Sequence, residues 1–389
     1  MKNKLTILIL LFVSGIVSAQ NFVPGTSYFG RADYIEYVAG NLPLILSVPH
    51  GGGLTPSEIP DRTCGETVTD SYTKELAASI RDGIMELTGC TPHIVICHLK
   101  RIKLDVNREV DIATCGNEIA ETAWNEYHTF LDSAKAAVAR IQGKGLLIDL
   151  HGHGHAIQRL ELGYLLTAVQ LAYSDATLNQ AAIISLSSIR SLAGMNVTNL
   201  THSDLLHGLF SLGTMLSAKG YPAVPGIDEP FPFPGESYFS GGYITQRHGS
   251  LNNGTVDAIQ IECNQDVRFE KTARDDFASA AANVLLNYLI KHYFPDLPDT
   301  YCNPTGIVLP DYGDFSIYPV PFDRSITVRV SGPCQLKIYS FKGELMISKE
   351  VIGEEIINTD GLISGTYLAI LTNRGKIFYR YTIIKESTR

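Results

Sequence analysis

From about Asn21 to Phe294, short apolar runs alternate with long amphipathic ones, and that alternation sets the fold class. Leu42 to Val48 (LPLILSV), His93 to Leu99, Gly145 to Leu150 (GLLIDL) and Val256 to Glu262 (VDAIQIE) have the length and apolarity of buried strands. Asp70 to Leu87 places Leu76, Ala77, Ile80, Ile84 and Leu87 at helical spacing and stops at Gly89. Asn117 to Ile141 and Thr272 to Phe294 are also helical. Buried strands separated by helices predict an α/β domain whose mostly parallel sheet is covered on both faces.

The pattern changes at Pro295. Residues 295–313 mix proline and glycine without a period and read as a linker. Over residues 314–389, β-branched runs (Ser325 to Val330, Gln335 to Ser340, Leu345 to Val351, Thr366 to Thr372, Ile377 to Ile384) are divided by turn pairs such as Lys342-Gly343 and Arg374-Gly375. They predict a small all-β, immunoglobulin-like antiparallel sandwich. It holds no histidine, and no chemistry is assigned to it.

Residues 1–19 carry Lys2 and Lys4, an apolar run from Leu5 to Val17, and the small pair Ser18-Ala19. The run is short for a membrane span and reads as a removable secretory signal, so the mature protein is expected outside the cytoplasm without a transmembrane segment. A formal charge of −9 argues against nucleic acid or an anionic membrane as partner. The seven cysteines follow the signal and none forms a CxxC pair. Disulfides are therefore permitted, at least one thiol is left over, and a thiolate zinc site is not expected.

Ligands of open α/β sheets bind beyond the carboxyl ends of the strands. Three such ends are polar here: Val48-Pro49-His50-Gly51-Gly52, Ile148-Asp149-Leu150-His151-Gly152-His153-Gly154-His155, and Gln260-Ile261-Glu262. His50 and His151 leave separate strands beside glycines and could converge on one metal, since neutral imidazole suits zinc and glycine permits close approach. A catalytic zinc takes three protein ligands, and the third would be a carboxylate: Glu58, Glu66 or Asp70. Glu262 would take a proton from the attacking water. Arg108, in Leu104-Asp105-Val106-Asn107-Arg108, offers a planar fork for a substrate carboxylate. Plainer roles compete. A lone histidine can bond the backbone, Asp70 can cap the following helix, Arg108 can pair with Asp105 or Asp111, and Glu262 can close an ion pair. His153 and His155 read as loop residues or as support for a ligand.

Taken in order, PHGG, TDSYTKELA, LDVNR, DLHG, and GGYITQRHGS with AIQIE, from Leu44 to Glu262, resemble the N-formylglutamate amidohydrolase family, which is related in fold to the zinc carboxypeptidases. The resemblance implies a three-layer α/β/α, phosphorylase/hydrolase-like catalytic domain over 20–294, with a mixed, mostly parallel sheet and one zinc ion. By matching motif, His50, Asp70 and His151 would be metal ligands and Glu262 the general base. Asn107 and Arg108 would clamp a substrate carboxylate, and Arg101, or Lys103, would steady the oxyanion. The implied reaction is hydrolysis of an amide bond in an N-acyl amino acid or related carboxylate-bearing substrate by metal-activated water. A zinc peptidase trimming peptides, and a non-catalytic surface binding protein on the same scaffold, are the alternatives. The chain departs from the enzymes that name the family in having HGHGH where they have histidine followed by serine. It also carries a long middle region, Ala156 to Ser240, expected to line or cover the pocket. Formylglutamate breakdown is cytoplasmic whereas this chain is exported, so reaction type carries over better than substrate.

Tyr318-Pro319-Val320-Pro321-Phe322, Leu336-Lys337-Ile338-Tyr339-Ser340, Gly361-Leu362-Ile363-Ser364-Gly365-Thr366-Tyr367 and Ile383-Ile384-Lys385 resemble the C-terminal sorting domain of the type IX secretion system, from Asp314 to Arg389. This resemblance implies handling by the type IX machinery and a secreted or cell-surface protein.

Overall fold

The computed structural model describes residues 22–297, 316–318, 322–330, 333–340, 344–373 and 376–385. The signal segment and most of the expected linker lie outside the described residues. The chain divides into two units, Met1–Pro304 and Thr305–Arg389.

In the first unit, eight strands make one sheet: β1 (Ser27–Phe29), β2 (Ile35–Val38), β3 (Leu44–Val48), β4 (His93–Cys97), β5 (Gly145–Gly152), β6 (Leu160–Gly163), β7 (Ala223–Val224) and β8 (Val256–Cys263). Their order is β1-β2-β4-β3-β5-β8-β6-β7. β3 runs parallel to β4 and β5, β5 to β8, and β6 to β7. The pairs β1/β2, β2/β4 and β6/β8 are antiparallel, so the sheet is mixed. Successive strand side chains point to opposite faces. Along β3, Leu44, Leu46 and Val48 join helices Thr73–Thr88 and Lys271–His292 in one apolar cluster, while Ile45 joins helix Glu118–Gln142 in another. The two clusters therefore lie on opposite faces, and the sheet is the middle of three layers.

The first long helix begins at Thr73 rather than at Asp70. Tyr72, just ahead of it, adopts a left-handed backbone (φ 68°), and no side chain caps the helix. Asp70 is thus not an N-cap, and its carboxylate is free to turn toward the sheet. The middle region also departs from expectation. Leu171, Leu178, Leu192, Leu205, Leu206, Leu212 and Leu216 are buried in the first cluster, so part of residues 156–240 builds core. Its two ends, near Glu161 and near Phe239, are what reach the polar end of the sheet.

The second unit contains β9 (Ser316–Tyr318), β10 (Ser325–Arg329), β11 (Cys334–Ser340), β12 (Leu345–Val351), β13 (Glu354–Asn358), β14 (Gly365–Asn373) and β15 (Lys376–Lys385). Two antiparallel sheets, β13-β10-β9 and β12-β11-β14-β15, share a core of residues such as Ile326, Val328, Leu336, Ile338 and Leu371. This is the expected sandwich. No described helix is long and apolar enough to cross a membrane.

Candidate metal centre

His50 follows the end of β3 and His151 is the penultimate residue of β5, its parallel neighbour, and the two imidazole centroids lie 4.8 Å apart. Asp70 stands between the rings. Its Oδ2 is 3.3 Å from Nδ1 of His50 and 3.1 Å from Nδ1 of His151, and it accepts the backbone N–H of Gly152 at 3.2 Å. Each ring turns its other nitrogen onto a separate buried carboxylate: Nε2 of His50 lies 2.7 Å from Asp105 Oδ1, and Nε2 of His151 lies 2.9 Å from Asp149 Oδ2. Those carboxylates fix the tautomer, so that the Nδ1 lone pairs face Asp70.

Two nitrogen lone pairs against one carboxylate oxygen repel unless positive charge lies among them, whether as two protons or as one cation. The residues therefore fit a zinc ion: two neutral imidazoles and a carboxylate, with ligand atoms within 4.8 Å of one another and an orienting carboxylate behind each ring. In the ion-free protein, burial alone would raise the Asp70 carboxyl, but the His50 and His151 rings outweigh it and hold it far below the usual carboxylate range. Burial likewise pulls the His151 imidazole down, and Asp149, Asp70 and Glu262 together hold it well above its ordinary value.

Glu262 on β8 is the register partner of His151 on β5. It is buried and accepts a hydrogen bond from Gln260 Nε2 at 2.9 Å. Burial pushes its carboxyl up; His151 opposes the shift, Asp70, Glu161 and Asp149 add to it, and the value reaches about 8. Arg101 donates from Nε to Asp105 Oδ2 at 2.9 Å and places Nη1 3.8 Å from Asp70 Oδ1, while its Nη2 makes no hydrogen bond among the described residues. Arg108 is half-buried; its Nη1 donates to its neighbour's carbonyl, Asn107 O, and its own carbonyl accepts from Trp124 Nε1.

The other candidate side chains have partners within the protein. Asn107 Oδ1 accepts from Ile244 N at 2.8 Å, and its Nδ2 lies 3.2 Å from His151 Nε2, so this side chain packs against the ring of His151. Lys103 donates to Ile59 O and pairs with Asp61. Glu58 bonds Tyr34, and Glu66 accepts from the backbone of Thr67 and Val68, which leaves Asp70 as the carboxylate between the rings.

Other residues at the centre were not singled out by sequence reasoning. Asp149 and His151, two apart on one strand, share a face, a spacing that could have flagged Asp149. Asp105 and Arg268 carry no such local signal. Arg268 donates to Cys263 O, Ser71 O and His153 O, joining the loops after β8 and β5 to the residue after Asp70. Gly152 accommodates it, because a Cβ there would lie 2.3 Å from the guanidinium carbon. A disulfide joins Cys64 to Cys115, and Arg62 beside it donates to Arg101 O and Ile112 O. A cavity of about 590 Å³ opens next to the centre, lined by Gly51, Thr69, Ser71, Tyr72, Glu75 and Lys100 among others.

Residues 316–386 match the model of the secretion system C-terminal sorting domain. The chain is thereby marked for export, to the cell surface or beyond. No curated protein matches the chain. Among solved structures it is similar to an N-formylglutamate amidohydrolase from Ralstonia eutropha, at 12% identity over 65% of this chain and 97% of that one, with a TM-score of 0.42. A gene product of Agrobacterium tumefaciens aligns at 13% identity over 67% and 98% of the two chains, TM-score 0.39. An N-acetylmuramyl-L-alanine amidase of Mycobacterium abscessus aligns at 13% over 63% and 98%, TM-score 0.30.

Proposed function

We propose that the first unit is a zinc-dependent amidohydrolase that cuts an amide bond in an N-acyl amino acid or a related carboxylate-bearing substrate, acting outside the cytoplasm. One observation carries the reading: two imidazoles from separate strands, each backed by its own buried carboxylate, present Nδ1 to one oxygen of Asp70. Zinc bound to His50, Asp70 and His151 would polarise the substrate carbonyl and lower the pKa of water toward ~7. Glu262, the next residue along the row from His151, accepts the water's proton. Positive charge at His50, Asp70 and His151 draws its pKa down from about 8, toward the ionised form that a base requires. The unengaged Nη2 of Arg101 is available to a developing oxyanion. Arg108 receives the substrate carboxylate.

The test is to count zinc in the purified protein and to assay formyl-, acetyl- and peptidyl-glutamate with wild type and His151→Ala. About one zinc per chain and turnover lost in the variant support the reading; no zinc and no turnover favour a binding protein. The cavity of about 590 Å³ beside Asp70 has room for more than an acyl group, which favours peptidase action as the second reading. Preference for the peptidyl substrate would select it.

A further inference from the structure

Glu161 on β6 faces Glu262 on β8, which faces His151 on β5. Register partners on adjacent strands share a sheet face at roughly 5 Å, so the three form a row across three strands. Glu161 is fully buried and uses both oxygens: Oε2 accepts the backbone N–H of Phe239 at 2.8 Å, and Oε1 lies 2.8 Å from Nδ1 of His155. The carboxylate fixes His155 with Nδ1–H toward Glu161, and the ring of Phe239 stacks on the imidazole at 4.7 Å and 18°. Nε2 of His155 makes no hydrogen bond among the described residues, yet it is not sealed from solvent, and the side chain is 23% exposed. His153 is committed elsewhere. Its Nδ1 accepts the His155 N–H and its Nε2 donates to Arg159 O, so a second cation on His153, His155 and Glu161 would have to displace at least one of these bonds.

A buried carboxylate that orients a histidine, with the outer nitrogen open and Glu262 paired on the next strand to that carboxylate, is an arrangement for proton donation. We propose that His155 is the acid of the reaction: with Nδ1–H held by Glu161, the ring takes a second proton from solvent on Nε2 and gives it to the departing nitrogen; this rests on the hydrolase reading above. As the water oxygen bonds to the carbonyl carbon, its proton goes to Glu262. When the C–N bond breaks, the electron pair stays on nitrogen, which takes the proton from His155. The products are a carboxylic acid and an amine; Glu262 then releases its proton to solvent and His155 regains one.

The experiment uses the full mature chain and places one acyl group on two amines: glutamate, a poor leaving group, and a nitro-substituted aminobenzoate, whose nitrogen departs without prior protonation. His155→Gln should lower kcat on the acyl-glutamate by roughly 10²–10⁴-fold and on the nitroanilide by less than about tenfold. Retained nitroanilide turnover shows that the variant is folded. Equal loss on both substrates, or loss on neither, overturns the proposal. If wild type cleaves neither, the hydrolase reading itself fails and the acid role falls with it. In the metal-free protein, ¹⁵N shifts should show Nδ1 of His155 protonated and that preference abolished by Glu161→Gln; protonation confined to Nε2 overturns the dyad.

Discussion

Asp149 Oδ2 lies 2.9 Å from Nε2 of His151, two residues further along β5, so one strand supplies both a ring and the carboxylate that orients it. Asp149→Asn keeps the shape and removes the charge. Zinc affinity should fall roughly 10–100-fold, read by competition with a chromogenic chelator. An unchanged affinity would mean that Asn107 and Asp70 hold the ring without Asp149.

Arg268 touches no ligand, yet it ties together three loops around Asp70 and His151. Arg268→Met should leave three carbonyls without that donor and destabilise the domain by ~3 kcal/mol or more, seen as an earlier urea midpoint. Zinc affinity should fall alongside. A destabilised variant with wild-type zinc affinity would show that the staple serves stability alone.

How much of this can be read from residues alone follows from where each signal sits. His50, His151 and Glu262 stand out because each puts a polar group at the end of an otherwise apolar strand. Asp70 does not, since Glu58 and Glu66 fit as well by spacing; the fold ties Glu58 to Tyr34 and Glu66 to its own backbone, and brings Asp70 between the two rings. Asp105, Glu161 and Arg268 reach the centre through loops and strand register over long sequence separations, which no local period encodes. The antiparallel flanks of the sheet depend on the same long-range pairing, whereas the covered parallel centre is written in continuous apolar runs.

Arg108 is positioned by Trp124, whose Nε1 donates to its carbonyl. Arg108→Ala should raise KM for acyl-glutamate substrates, lowering kcat/KM roughly 10–100-fold, with little change on the corresponding uncharged amides. Equal losses on both would remove the clamp from the mechanism.

Asp257 is fully buried, and its carboxyl is pushed by burial from 3.8 to about 6 despite hydrogen bonds from Ser250, Leu192 and Tyr293. The folded state thus binds this proton more tightly than the unfolded chain does. The resulting stability is complete below about pH 4 and lost as pH rises through about 6, a swing on the order of 3 kcal/mol. Asp257→Asn cannot titrate, so its stability relative to wild type should improve by about that amount between pH 4 and 7. Urea unfolding followed by Trp124, the single tryptophan, reports on this domain. A difference that is flat with pH would refute the shift.

The bond between Cys64 and Cys115 crosses 51 residues and fastens the approach to Asp70 onto the turn that follows Arg108. Thiols in the bacterial cytosol are kept reduced, so this cross-link can close only after the chain has left it. A protein marked for export by its C-terminal domain would then acquire this cross-link en route, and the segment leading to Asp70 would be tied down only once the chain is outside the cell interior.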